Sequence, residues 1–388
     1  MERKKHILFI SSWYPNRNNP THGIFNYNFA LAASLHHTVS VLHVCSEANL
    51  SSEFEVVSTN EQQIETITVY YKKINFSLPI ISQVIKWRKQ LKAYDLGFNL
   101  LLKKLYKPDL IQLNVVAPAG AAVLHLSKKH NIPFVVNEGW TGYMPEDGRY
   151  NNWLIKMLTK KVISRAKVIM PVSERLKKAM LANTLLGNYV IVPNLVDVKS
   201  FSISKTIDQD VVSFIHISAL DDAQKNVSGI ISSFGNAYKQ NNQMRLKIIG
   251  DGEDKTKLQN LVFKLKLSNV ITFTGKLTGE ALVKEIQQSN ALVMFSNYET
   301  FCLTVAEALA CGKPVITSRA GGLTDLISDE LGFSVESNNE QQLTESMLIF
   351  AQQRNKFNPE SLRNFITQNY SKEIIAEKLK QVYLHVLS

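Results

Sequence analysis

Two glutamates eight positions apart, Glu299 and Glu307, are the residues best placed to do chemistry. Paired carboxylates can hydrolyse glycosides, one as acid and the other as base or nucleophile. Carboxylates also accept hydrogen bonds from hydroxyl groups, which suits a sugar on one glutamate and a ribose on the other. A plainer alternative has Glu307 facing solvent on a surface helix. The elements around the pair bear on the choice. Residues 291–295 are an apolar run that reads as a buried strand, and Glu299 follows it. Glu307 falls in a short helical pattern that Gly312 ends as a C-cap. The next strand, 314–317, follows directly. Ligands of open α/β sheets sit outside the carboxyl ends of strands. Chain order alone places Glu299 there.

The helix entry leaves the backbone N–H groups of Phe301, Cys302 and Leu303 without helical partners, so they can hold an anion or sugar hydroxyls. Lys225, in the polar loop 218–226, can neutralise the same diphosphate. These elements fit nucleotide binding better than glycoside hydrolysis. Two other loops carry weaker signals. Gly23 closes a polar loop after the first strand (7–10) and opens a helix, an arrangement that fits a phosphate or a plain turn. Glu138, Trp140 and Tyr143 follow the strand 133–137, where an acceptor could stack and hydrogen-bond; a glycine-rich turn with buried aromatics is the alternative. Gly250 and Gly252 also follow a strand, but position 255 is Lys255 rather than a third glycine, which excludes a dinucleotide fingerprint.

At 388 residues the chain suits two domains. Strands alternate with helices up to about residue 192, a polar link runs over 199–209, and the alternation restarts at 211–217. The expected division is 1–196, 197–369 and a terminal helix 370–388 with one apolar stripe. Residues 51–67 read as irregular or edge structure, and Ser173 and Thr278 as helix N-caps. No apolar run reaches the length of a membrane-spanning helix. Three cysteines without metal or disulfide spacing point to a reducing cytoplasm.

The net charge of +11 is lopsided. Residues 1–194 hold 24 Lys and Arg against 12 Asp and Glu, while residues 195–388 hold 20 against 21. The segment 72–107 carries nine Lys and Arg and one acid, Asp95, interleaved with Ile80, Ile81, Val84, Trp87 and Tyr94. Such a helix can lie on an anionic membrane, each basic residue contributing about 1 kcal/mol. A solvated helix face is the alternative. No reader motif accompanies the charge, which argues against nucleic acid.

The spacing of Glu299 and Glu307, followed by residues 308–315 and by Gly321 and Gly322, resembles the signature of retaining glycosyltransferases of family 4. The resemblance spans nearly the whole chain, including the Gly23 loop, residues 193–197, Gly250, Gly252, Gly275 and the terminal helix. It implies the GT-B fold: α/β, two facing Rossmann-like, doubly wound domains with an interdomain cleft, and a last helix crossing back to the first domain. It implies a UDP- or GDP-sugar donor, a glycan or lipid-linked acceptor in surface polysaccharide or glycolipid synthesis, no metal or other cofactor, and a cytoplasmic site, free or peripheral on the inner membrane face. In that scheme Glu299 contacts the transferred sugar and Glu307 the ribose. Lys225 and the N–H groups near Cys302 and Leu303 hold the diphosphate, which Gly23 approaches, and Lys276 and Leu277 lie beside the base. Three positions depart from the pattern: Ala219 where an arginine is usual, Gly139 for a histidine, and Leu195 for a glycine. The first two keep open a second reading, a catalytically reduced partner of another transferase. A sugar-nucleotide epimerase is a third.

Overall fold

The structure is a computed structural model that describes residues 4–73, 79–204 and 210–388, with the side chains of 79–84 outside that description. The side chains of Ile80, Ile81 and Val84 in the basic segment, and residues 205–209 of the expected link, therefore lie outside that description. The chain divides into two units. The first holds Met1–Tyr143, Gly148–Asn194 and Lys372–Ser388; the second holds Met144–Asp147 and Leu195–Ser371.

Short apolar runs separated by helices form the first unit: β1 (His6–Ser11), α1 (Ile24–Ala33), β2 (Thr38–Glu47), β3 (Phe54–Glu61), β4 (Ile64–Lys72), α2 (Pro79–Lys104), β5 (Leu110–Asn114), α3 (Gly120–His130), β6 (Phe134–Glu138), α4 (Trp153–Ile163), β7 (Ile169–Pro171) and α5 (Glu174–Ala182). Its sheet runs β3-β4-β2-β1-β5-β6-β7. All pairs are parallel except β3 with β4. Parallel strands need helices on both faces, so the central strand reads as an unbroken apolar run; Ile7 to Ile10 are fully buried. Helix α3 packs between α2 and α4.

The second unit contains β8 (Val212–Ile217), α6 (Asp222–Lys225), α7 (Val227–Gln240), β9 (Met244–Ile249), α8 (Lys255–Lys264), β10 (Ile271–Gly275), α9 (Gly279–Gln287), β11 (Ala291–Met294), α10 (Leu303–Ala310), β12 (Val315–Ser318), β13 (Gly332–Val335), α11 (Glu340–Gln353) and α12 (Pro359–Tyr370). The sheet order is β10-β9-β8-β11-β12-β13, parallel throughout. The final helix, α13 (Lys372–Leu387), belongs to the first unit and packs on α1.

Three local expectations are refined. Within 51–67 the edge alternative holds for β3, an antiparallel edge strand, whereas β4 pairs on both sides, with β3 and β2. Polar Glu65, Thr66 and Thr68 hide β4 in the sequence; Glu65 is tolerated inside because Lys104 and the Ser58 hydroxyl, at 2.6 Å, bond to it. Lys225 ends a one-turn helix rather than lying in an open loop, and the Asp221 side chain caps that turn by accepting from Gln224 N at 3.3 Å. Ser173 caps α5 through Leu176 N at 3.2 Å, whereas Thr278 makes no side-chain capping bond.

Candidate active site

In the second sheet the strand order reverses between β8 and β11. A crevice opens at such a switch point, because the crossovers on either side leave in opposite directions. The loop after β8 leads to Lys225, and the loop after β11 carries Glu299. Although 74 positions apart, they meet: Lys225 Nζ lies 2.6 Å from Glu299 Oε1. Ser296 Oγ donates to the same oxygen at 2.9 Å. Glu299 Oε2 has no partner among the described residues. Both side chains are largely buried, at 6% exposure for Glu299 and 15% for Lys225. Burial works against the ammonium charge, but the adjacent Glu299 carboxylate, with smaller contributions from Cys302 and Asp221, offsets it, and Lys225 titrates above the usual lysine range.

The surrounding backbone fixes this pair. Asn297 N donates to Gln224 O and Asn297 Nδ2 to Ala223 O, both at 2.8 Å, docking α6 on the Glu299 loop. On the other side, Glu299 N donates to Ala320 O at 2.7 Å, and Leu323 N to Phe301 O at 2.9 Å. The chain from Ala320 approaches so closely that a Cβ on Gly322, at φ +65°, would stand 2.4 Å from Phe301 Cα. Only glycine fits there. Beneath the pair, the buried His216 bridges β8 and β11: Nδ1 lies 2.9 Å from Val293 O and Nε2 2.7 Å from Ser218 Oγ. Burial lowers its pKa to about 4, so the ring is neutral at pH 7.

Helix α10 starts at the same place. Its N-cap residue, Cys302, is left-handed at φ +69° and makes no side-chain cap bond. The amides of Cys302, Leu303 and Thr304 have no acceptor among the described residues, as the first turn of a helix requires. Phe301 is buried, its ring 5.5 Å from that of Tyr370. Glu307 is neither solvent-facing nor sealed. It is half-buried, has no side-chain partner among the described residues, and burial lifts its pKa to about 8. Lys276, exposed, and Leu277, half-buried, follow β10, which β9 and β8 separate from β11. The structure thus brings Glu299, Lys225 and the start of α10 together and adds Ser296, which sequence reading missed. Its only signal was a serine directly after a buried strand.

The first unit tells a different story for its predicted residues. Glu138 is fully buried, and its carboxylate accepts from Gly139 N and Trp140 N, both at 3.0 Å, and from Val116 N and Tyr143 Oη, both at 3.1 Å. Burial raises its pKa, and those four donors work in the opposite direction. Tyr143 is 2% exposed. The expectation that Glu138 and Tyr143 contact an acceptor is therefore corrected: both are used up inside the loop. Of the three, Trp140 alone keeps surface. Gly23 is left-handed at φ +65°, and a Cβ there would lie 2.4 Å from Trp13 O. The close turn alone accounts for this glycine.

Two Rossmann-like units with sheets of this order have the GT-B architecture. Residues 199–372 match the family of glycosyl transferases group 1, and residues 22–200 match glycosyltransferase family 4. The chain belongs to this family and is a glycosyltransferase enzyme that uses a nucleotide-sugar. It is 25% identical to an alpha-monoglucosyldiacylglycerol synthase of Acholeplasma laidlawii, over 89% of this chain and 93% of that one. A GDP-mannose-dependent alpha-mannosyltransferase of Mycolicibacterium smegmatis is 41% identical over 85 residues, 22% of this chain and 21% of the relative. Among solved structures, sucrose-phosphate synthase from Thermosynechococcus elongatus superposes with a TM-score of 0.78 at 18% identity, covering 99% of each chain. Anabaena HepE in complex with UDP and glucose gives 0.71 at 16% identity, over 98% of this chain and 100% of that one. At these identities the superpositions speak to fold. Among the described residues no helix is long and apolar enough to cross a membrane.

Proposed function

We propose that the chain is a retaining, metal-independent transferase that moves a sugar from a UDP- or GDP-sugar to a glycan or lipid-linked acceptor in surface polysaccharide or glycolipid synthesis. The observation that carries this reading is the buried Lys225–Glu299 pair beside the free amides of α10. A diphosphate set against Cys302, Leu303 and Phe301 meets a helix N-terminus, which stabilises an anion by about 0.3–1 kcal/mol per charge at a wet surface and more when dry. Lys225 supplies the full positive charge. Glu299 Oε2 accepts from a hydroxyl of the transferred sugar, and Glu307 accepts from the ribose. Lys276 and Leu277 flank the base.

In the reaction, the acceptor oxygen forms its bond to the anomeric carbon on the face from which the phosphate leaves. The carbon–phosphate oxygen bond breaks, and the acceptor proton passes to that phosphate oxygen. Configuration is kept. Lys225 and the α10 dipole stabilise the negative charge that grows on the diphosphate. On the first unit, Trp140 offers stacking surface to the acceptor. The basic segment 72–107 supplies a contact for anionic lipid, with Lys86, Trp87 and Arg88 exposed on α2. The glycolipid-synthase and GDP-mannose-dependent relatives, and the UDP-bound fold neighbour, support the donor and acceptor classes.

The test is incubation of purified protein with a panel of UDP- and GDP-sugars and lipid-linked acceptors in the presence of a chelator. Transfer with retained anomeric configuration is expected. Folded protein that neither transfers sugar nor releases nucleotide sinks the reading. That outcome favours the second reading, a catalytically reduced nucleotide-sugar-binding partner. It is motivated by Ala219, exposed at the rim of the Lys225 loop, and by Gly139.

A further inference from the structure

Helix α4 carries apolar side chains on its outer as well as its inner face. Its inner face, Thr159, Val162 and Ile163, is buried against the first unit. Yet its first turns hold Trp153 at 68% exposure, Leu154 at 43% and Met157 at 56%, and Leu186, after α5, stands at 70%. Trp153, Met157 and Leu186 belong to one continuous surface. Met157, Lys160 and Thr184 line two adjoining open grooves of about 490 and 420 Å³, the first reaching Trp153 and the second Leu186. Leaving several large apolar side chains in water is unfavourable relative to burying them. Clusters of this kind mark interaction surfaces.

The charge pattern selects the occupant. Residues 148–173 contain six Lys and Arg and no Asp or Glu. Lys160 and Lys161 are exposed, and Lys156 lies 5.6 Å from the Tyr150 ring. We infer that α4 and the Leu186 turn dock on an anionic lipid bilayer, with Trp153, Met157 and Leu186 entering the interface and Lys156, Lys160 and Lys161 meeting headgroup phosphates. A second copy of the chain fits poorly, because a two-fold contact sets these lysines against one another. Nucleic acid has no use for Leu154, Met157 and Leu186, which cannot stack on bases as aromatic rings do. This surface is separate from α2, where Lys89 bonds to Lys72 O at 3.3 Å and Lys104 is held by Glu65.

The docking is independent of whether the chain transfers sugar, so the full chain is tested by cosedimentation with phosphatidylcholine vesicles, with and without phosphatidylglycerol. Binding is expected only with phosphatidylglycerol. Replacing all three lysines by Gln weakens it about a hundredfold. The pair W153A and M157A weakens it about tenfold or more. Quenching of tryptophan emission by brominated lipid falls in W153F. Thermal unfolding of each variant checks that it is folded, as expected for exposed positions. Binding that survives the α4 substitutions but is lost in K86Q/R88Q on α2 overturns the assignment. So does absence of binding to the anionic vesicles, indifference to phosphatidylglycerol, or a sedimentation mass that shifts from dimer to monomer in W153A.

Discussion

Glu138, the last residue of β6, and Glu299, in the loop after β11, both stand at the carboxyl ends of buried parallel strands and do opposite things. Around Glu138 the loop folds back until both carboxylate oxygens are filled by four donors of its own unit. Around Glu299 only Oε1 is filled, by Lys225 and Ser296, and the unpartnered amides of α10 lie beside it. A buried carboxylate with every lone pair satisfied is a clamp. One left half satisfied, next to a cation and a helix start, is a site that still has bonds to make. Identity and strand-end position do not distinguish the two; the count of donors does.

That contrast can be broken or sharpened by mutation. The largest effect is expected for Glu138→Ala, which strands one buried and two part-buried backbone N–H groups and a buried tyrosine hydroxyl and destabilises the first unit by about 3–5 kcal/mol. Urea unfolding measures it, and a loss below about 1 kcal/mol removes the clamp from the comparison. Next comes Glu299→Gln. Here kcat/KM is expected to fall roughly 100- to 1,000-fold while stability changes by no more than about 1–2 kcal/mol. If stability falls as far as in E138A, the two glutamates are alike after all.

Glu307 gives a pH signature. Its folded pKa of about 8 lies above the ordinary 4.5, so the native state holds the proton more tightly than the unfolded chain. The stability it contributes is complete below about pH 4.5 and is lost as pH rises through about 8. Glu307→Gln should remove that part of the decline, visible as a melting temperature that gains on the native chain as pH increases. Saturating donor should lower the carboxyl pKa if the ribose bonds to it; an unmoved pH profile separates Glu307 from the site. The smallest effect is expected for Gly139→His. A Cβ there meets only Val172 Cγ1, at 3.7 Å, so the side chain fits and stability changes by less than about 0.5 kcal/mol. Turnover is expected to change less than about tenfold; turnover that appears only in this variant, or only with Ala219→Arg, supports the catalytically reduced reading.

Much of the fold was legible because parallel strands buried on both faces, such as β1 and β11, leave unbroken apolar runs in the sequence. β4 was not, since its polar residues find partners only after the chain has folded. The one-turn helix α6 is too short for a helical period to repeat. For the site, the glutamate pair and the α10 amides could be read locally. The Lys225–Glu299 contact spans 74 positions, and Ser296 carries no spacing signal of its own. Glu138 was misread because a strand-end carboxylate looks the same in sequence whether a ligand or its own loop supplies the donors.

Helix α13 bears on the order in which the protein is made. Its Ile375, Leu379 and Tyr383 are buried in the first unit, and the Tyr383 hydroxyl donates to Gln112 of β5. A ribosome therefore delivers every residue of the second unit before it delivers the helix that covers α1. The first unit, although begun earliest, waits with an apolar face open to chaperones and proteases until translation passes residue 372. Nascent chains halted before that point should resist protease across the second unit and be cut in the first; equal resistance in both would show that α1 needs no such cover.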